Sequence, residues 1–142
     1  MNRYVLLESA GTSFSVVVQV VDTDSYTSPP VPDGSIGFWL RVAENTVVQV
    51  GWISRNSASG PTFTAPTHDD QIAIAAGRVR MLLLAALDWL PHHTLQYKLE
   101  LGVASPAEQV LLLTFKQYVI ALDEVKNQAG YPTEISWPIA PF

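Results

Sequence analysis

Residues 105–123, SPAEQVLLLTFKQYVIALD, decide the reading of this chain. Ser105, Pro106 and Glu108 stand in the order of a capping serine, a first-turn proline and the acid of a capping box, so a helix begins here. Leu111, Phe115, Tyr118, Leu122 and Val125 recur at spacings of four, three, four and three, which makes one apolar seam. The spacing predicts a helix to about Ala129, closed by Gly130 as its C-cap. Toward the N-terminus, Pro66-Thr67 marks a boundary. Thr67 with Asp70 three residues on predicts a second cap, and Asp69 and Asp70 carry the charge that a helix start favours. A helix over Ile72–Leu87 follows, apolar nearly all round toward its end, which Asp88-Trp89-Leu90-Pro91 is expected to stop. His92–Gly102 is a connector with no structure assigned.

Upstream of Pro66 the period changes from helical to alternating. Tyr4–Leu7, Ser13–Val21, Ile36–Val42 and Thr46–Ile53 are dense in β-branched and aromatic residues and read as strands. Ala43-Glu44-Asn45 would close a hairpin between the last two. Asp22–Ser35, with three prolines in the span 29–32 and Pro32-Asp33-Gly34, is loop chemistry. Arg55–Pro61 reads as a polar loop tip. At the far end, Tyr131–Phe142 (YPTEISWPIAPF) holds three prolines in twelve residues and is extended. The fold class is therefore α+β. A small antiparallel sheet occupies residues 1–66, and a two-helix hairpin with an extended Pro/Trp tail occupies residues 67–142.

Composition narrows the function. The 142 residues are 48% hydrophobic and 15% charged, against roughly 25% charged in an average soluble chain. The net charge of −5 argues against nucleic acid, whose binders present a basic face. The longest apolar run, Met81–Leu87, is seven residues, far short of the roughly 20 that span a bilayer. With no cysteine, disulfides and thiolate chemistry are excluded. His68, Asp69 and Asp70 lie close together and His92 adjoins His93, but no zinc spacing is present. Neither a nucleophile elbow nor a phosphate-cradling glycine loop is found. No catalytic residue, metal ligand or cofactor is assigned, and the chain reads as a binding protein. The low charge suggests a partner that covers surface.

Trp137 and Pro138 have two readings. They fold back as a lid on the helices, or they form a contact element, since aromatics and prolines supply contact area at low ordering cost.

The stretch Arg78–Pro141 resembles the C-terminal region of bacteriophage tail fibre assembly proteins, also described as tail assembly chaperones. The resemblance rests on Asp88, Trp89, Leu90, Pro91, Tyr118, Ala121, Leu122, Pro132, Ile135, Trp137, Pro138 and Pro141, in that order. Val50-Gly51-Trp52, Phe63-Thr64 and Pro66 fit the end of the family's β-rich part. Phe115 stands where the family usually has Trp, and Val119 where it has Arg. The resemblance implies a non-enzymatic protein of the host cytoplasm that binds a trimeric tail fibre near its C-terminal end and assists folding, trimerisation or attachment. It implies no cofactor, nucleic acid or membrane. Candidate partner-binding residues are Trp137, Pro138, Trp52 and Phe63, with self-association through the helices as a further expectation. The alternative is a virion component kept at the fibre tip, where Trp39 or Trp52 would stack on host glycans.

Overall fold

A computed structural model describes all 142 residues. Five strands come first: β1 (Asn2–Ser9), β2 (Ser15–Thr23), β3 (Phe38–Val42), β4 (Ile53–Ser57) and β5 (Gly60–Thr64). Helices α1 (His68–His92), α2 (Leu95–Glu100) and α3 (Pro106–Asp123) follow, with a 3₁₀ turn at Glu124–Asn127. The class is α+β, as the change of period predicts. Two compact units divide the chain, Met1–Ile74 and Ala75–Phe142.

In the first unit all strand pairs are antiparallel, in the order β3-β1-β2-β4-β5. Central β1 is buried from Tyr4 to Leu7. Val5 and Leu7 join Val17 in the core cluster, with Leu40, Val42, Val48, Trp52 and Phe63 packed against it. The other face of β1 lies under the 24–37 loop. The Ser25 carbonyl there accepts bonds from Asn2 Nδ2 at 3.0 Å and from the Tyr4 hydroxyl at 3.5 Å. Gly37 is required at this approach, because a Cβ would lie 2.7 Å from the Leu7 carbonyl oxygen.

Three expectations for this unit are corrected. Thr46–Ile53 is not a strand; only Ile53 enters the sheet. Ala43-Glu44-Asn45 closes a turn, with Thr46 N–H donating to the Ala43 carbonyl at 2.9 Å, but no hairpin follows it. The reason is topological. β1 and β2 lie between β3 and β4, so the chain must cross two strands. Val48 and Trp52 go to the core during that crossing. The backbone at Gly51 and Trp52 bonds to Val17 instead, at 2.7 and 2.8 Å. Arg55–Pro61, expected as a loop tip, is the β4–β5 hairpin, with Ser57 paired to Gly60. Arg55, Asn56 and Ser57 are exposed, so this strand shows no apolar alternation to read.

Helix α1 starts at His68, earlier than Ile72, where its cap dictates. Thr67 Oγ1 accepts from Asp70 N–H at 3.2 Å, and Asp70 Oδ2 accepts from Thr67 N–H at 3.0 Å. The same carboxylate meets Arg55 at 2.6 Å, and the Arg55 guanidinium lies 4.8 Å from the Phe14 ring centre.

In the second unit, α1 runs through Pro91 rather than stopping before it. A proline in the last turn costs the helix one late hydrogen bond and little else. The carbonyls of Asp88 and Trp89 are instead taken by Nδ1 of His92 and His93, at 2.7 and 2.8 Å. The connector after them holds the short helix α2. The capping box at Ser105 forms as expected, and Glu108 also pairs with Lys98 at 2.6 Å. Helix α3 ends at Asp123, short of Ala129. Gly130 has no left-handed φ; it is needed because a Cβ would collide with the Glu134 carbonyl oxygen. The core unites Ala86 of α1 with Phe115, Tyr118 and Leu122 of α3. Leu112, rather than half-buried Leu111, leads the buried seam.

Two predictions follow from these contacts. Leu122 is fully buried, so Leu122→Ala should cost about 2–5 kcal/mol in urea unfolding. The backbone N–H of Thr67, with Arg55 beside it, holds the Asp70 carboxyl below its usual range despite burial. A carboxylate depressed in the folded state contributes stability that is present above its unfolded pKa of about 4 and lost as pH falls through the folded value. Thermal melts from pH 7 to pH 2.5 should therefore show Asp70→Asn less stable at neutrality, with a shallower acid decline than the parent chain.

Candidate interaction surfaces

The ionised groups with displaced pKa values are all structural. Arg3 and Asp22 form a two-pronged pair at 2.7 Å, which lowers the Asp22 carboxyl and raises the guanidinium. Lys98 and the Ser105 cap lower Glu108, and Asp70 belongs to the cap of α1. No group of three His, Asp or Glu side chains is arranged to hold a metal ion. His68 is exposed in the first turn of α1, while His92 and His93 cap its other end.

The tail is strapped to the second unit. Gln128 and Ser136 exchange two bonds, with Gln128 Nε2 donating to the Ser136 carbonyl at 2.9 Å and Ser136 N–H donating to Gln128 Oε1 at 2.8 Å. Trp137 packs on the core cluster, and the Arg78 guanidinium lies 4.5 Å from its ring centre. Trp137 and Pro138 are both half-buried. Phe142 stacks on Trp89 at 4.8 Å and meets Tyr118 edge-on at 5.9 Å. Trp89 also stacks on His93, the residue just after α1, at 4.0 Å. The aromatic slot that takes Phe142 becomes visible only once α1 and α3 are side by side.

Apolar surface remains outside that core. Val110, Leu113 and Ile120 are each more than half exposed. Their spacing of three and seven puts them on one face of α3, away from Phe115 and Leu122. Met81, Leu84 and Leu87 are exposed on α1, as are Tyr97, Leu99, Leu101 and Val103 on and after α2.

In the first unit, Trp52 and Phe63 are half-buried against the sheet core. Trp39 is half-buried too, its Nε1 donating to the Pro30 carbonyl at 3.2 Å. The exposed apolar residues gather in and around β3: Tyr26, Val31, Ile36 and Phe38, with Val47 and Val50 beyond it. β3 and β5 are the two sheet edges. Arg41, Val42, Ala43 and Thr46, from β3 and the turn after it, line a cleft of about 340 Å³ together with Ser59, Pro61 and Phe63 of the β4–β5 hairpin. Residues from strands at opposite ends of the order thus line one cleft.

Comparison with known proteins supplies the class. A family model described as Caudovirales tail fibre assembly protein, lambda gpK, matches residues 12–142. The chain belongs to this tail fibre assembly family. No curated protein and no solved structure gives a significant match. The residues that carried the sequence resemblance to tail fibre assembly proteins are mostly packing residues of the second unit. Tyr118 and Leu122 are buried, and Trp89 and Leu90 pack against them. Ala121, Pro132, Ile135 and Pro141 are half-buried. Asp88 and Pro91 are exposed in the last turns of α1. No helix of this tail fibre assembly protein is long and apolar enough to cross a membrane.

The strap leads to a stability prediction. Phe142→Ala removes three ring contacts, those with Trp89, Phe115 and Tyr118. Aromatic pairs contribute about 0.5–1.5 kcal/mol each beyond area. A drop in melting temperature is expected, together with faster amide exchange over residues 135–142.

Proposed function

We propose that this member of the tail fibre assembly family is a non-catalytic chaperone of the fibre. It acts in the host cytoplasm during assembly, binds the trimeric fibre near its C-terminal end and assists folding, trimerisation or attachment. The family match over residues 12–142 carries this reading. Physical logic supports it. Intertwined β-fibres depend on non-local pairing, which is slow and leaves apolar edges open meanwhile. A small protein with apolar surface to spare can cover them. Over half of Val110, Leu113 and Ile120 is accessible, and an apolar helical face of this kind suits the fibre or a second copy of the chain.

The four candidate contacts share one degree of exposure. Trp137 and Pro138 in the strap, and Trp52 and Phe63 in the sheet, are mostly buried and keep only a minor part of their surface for a partner. The reading as a glycan-binding tip component has less support, because neither Trp39 nor Trp52 stands clear as a stacking platform.

Co-expression with a candidate tail fibre protein is the test. Soluble trimeric fibre, measured by light scattering after purification, should depend on this chain and should carry it in a complex. Fibre that is equally soluble and trimeric without it would end the chaperone reading.

A further inference from the structure

We infer that the outer edge of β3 accepts an extended strand of the fibre by backbone pairing, with apolar residues on one face of that strand and an acidic residue set against Arg41. The inference rests on the fibre-binding reading and specifies how one contact is made.

The two edges of the sheet are guarded unequally. β5 carries Pro61, which lacks a donor and blocks pairing. β3, Phe38–Val42 (FWLRV), has neither proline nor lysine. Its inner side is taken by β1 along the full strand, from Arg3↔Val42 to Leu7↔Phe38. No strand pairs with its outer side. A row of backbone donors and acceptors on a strand rich in aromatic and branched residues is the geometry that invites another strand.

The side chains say what kind of strand. Phe38, Leu40 and Val42 alternate on one face, where Leu40 and Val42 pack on the sheet core and Phe38 is 56% exposed. Cross-strand neighbours on that face must be apolar. Arg41 is on the other face. It donates to Asn2 Oδ1 and lies 5.5 Å from the Tyr26 ring centre, yet no carboxylate pairs with it, in contrast to Arg3 and Arg55. An incoming acid opposite Arg41 would complete the ion pair that this edge lacks. The cleft beside the strand supplies room, with Phe63 and Pro61 as its apolar wall.

Hydrogen exchange on the purified complex with the fibre tests this, with the free chain as reference. Amides on the outer side of β3 should slow by about tenfold or more in the complex, with β5 unchanged. Phe38→Lys, which adds an edge-guarding lysine, and Arg41→Glu should each weaken fibre binding by about tenfold or more. Both variants are checked by thermal melt. Phe38 is exposed and its exchange leaves the core alone, so it serves if Arg41→Glu does not fold. A complex that forms and keeps the fibre soluble while β3 exchanges as before would overturn strand addition and leave the chaperone reading standing. Protection of β3 in a dimer of the free chain would assign the edge to a second copy and also overturn it. Absence of any complex would overturn both readings together.

Discussion

The position of β1 between β2 and β3 is the constraint from which the first unit follows. Once β1 has paired on both sides, the chain leaving β3 has no free neighbour to return to. It must cross β1 and β2 to reach the far side of β2, where β4 pairs through Ser15 and Val16. The crossing is short and carries alternating apolar residues, so it doubles as core: Val48 and Trp52 go inward while Val47 and Val50 stay out. Because the chain is spent on the crossing, no later strand returns to pair with the outer side of β3. An edge without a strand partner is thus built into the topology, and residues at the end of β3 line a cleft with the β4–β5 hairpin.

In the second unit the governing interaction is the aromatic contact between α1 and α3. Trp89 and Phe115 lie 5.8 Å apart, and Phe142 closes over both. Burying large rings accounts for much of a small core's stabilisation. It also explains why a Pro-rich segment with no regular structure is ordered at all. Two side-chain bonds at Gln128, one cation–π contact at Trp137 and one ring stack at Phe142 hold it at three points. Of the two readings open for Trp137, the structure favours the lid, although the residue keeps part of its surface.

Much of this was legible in the sequence, because local chemistry decided it. The caps at Thr67 and Ser105 were readable since each is satisfied within four residues. The seam from Phe115 to Val125 was readable because helical period survives any tertiary context. The misreadings share one cause. Thr46–Val50 has strand composition, but its fate depends on which strands already have neighbours, and no local pattern records that. Arg55–Ser57 pairs with β5 although its side chains face solvent, so the alternation that marks a strand is missing. Pro91 sits late enough in α1 that its penalty is small. Of the candidate site, Trp52, Phe63 and Trp137 could be named as large aromatics in odd places. The β3 edge could not, because an edge is a property of the strand order.

The low charge of the chain, 15% beside 48% hydrophobic, is now divided between two uses. Part is internal: Phe115, Tyr118 and Leu122 in one unit, Val5, Leu7 and Val17 in the other. The remainder is distributed unevenly. Natural sheets defend edges with lysine, proline or bulges because an undefended edge recruits other chains. This chain does so at β5 and not at β3. It also leaves apolar side chains on the outer face of α3, where a charged residue would cost nothing in packing. For a protein that works alone, such exposure is a liability to aggregation. In the reading proposed above, the same exposure is surface offered to the fibre, and the unguarded strand edge gives part of that contact a direction that apolar composition alone would not.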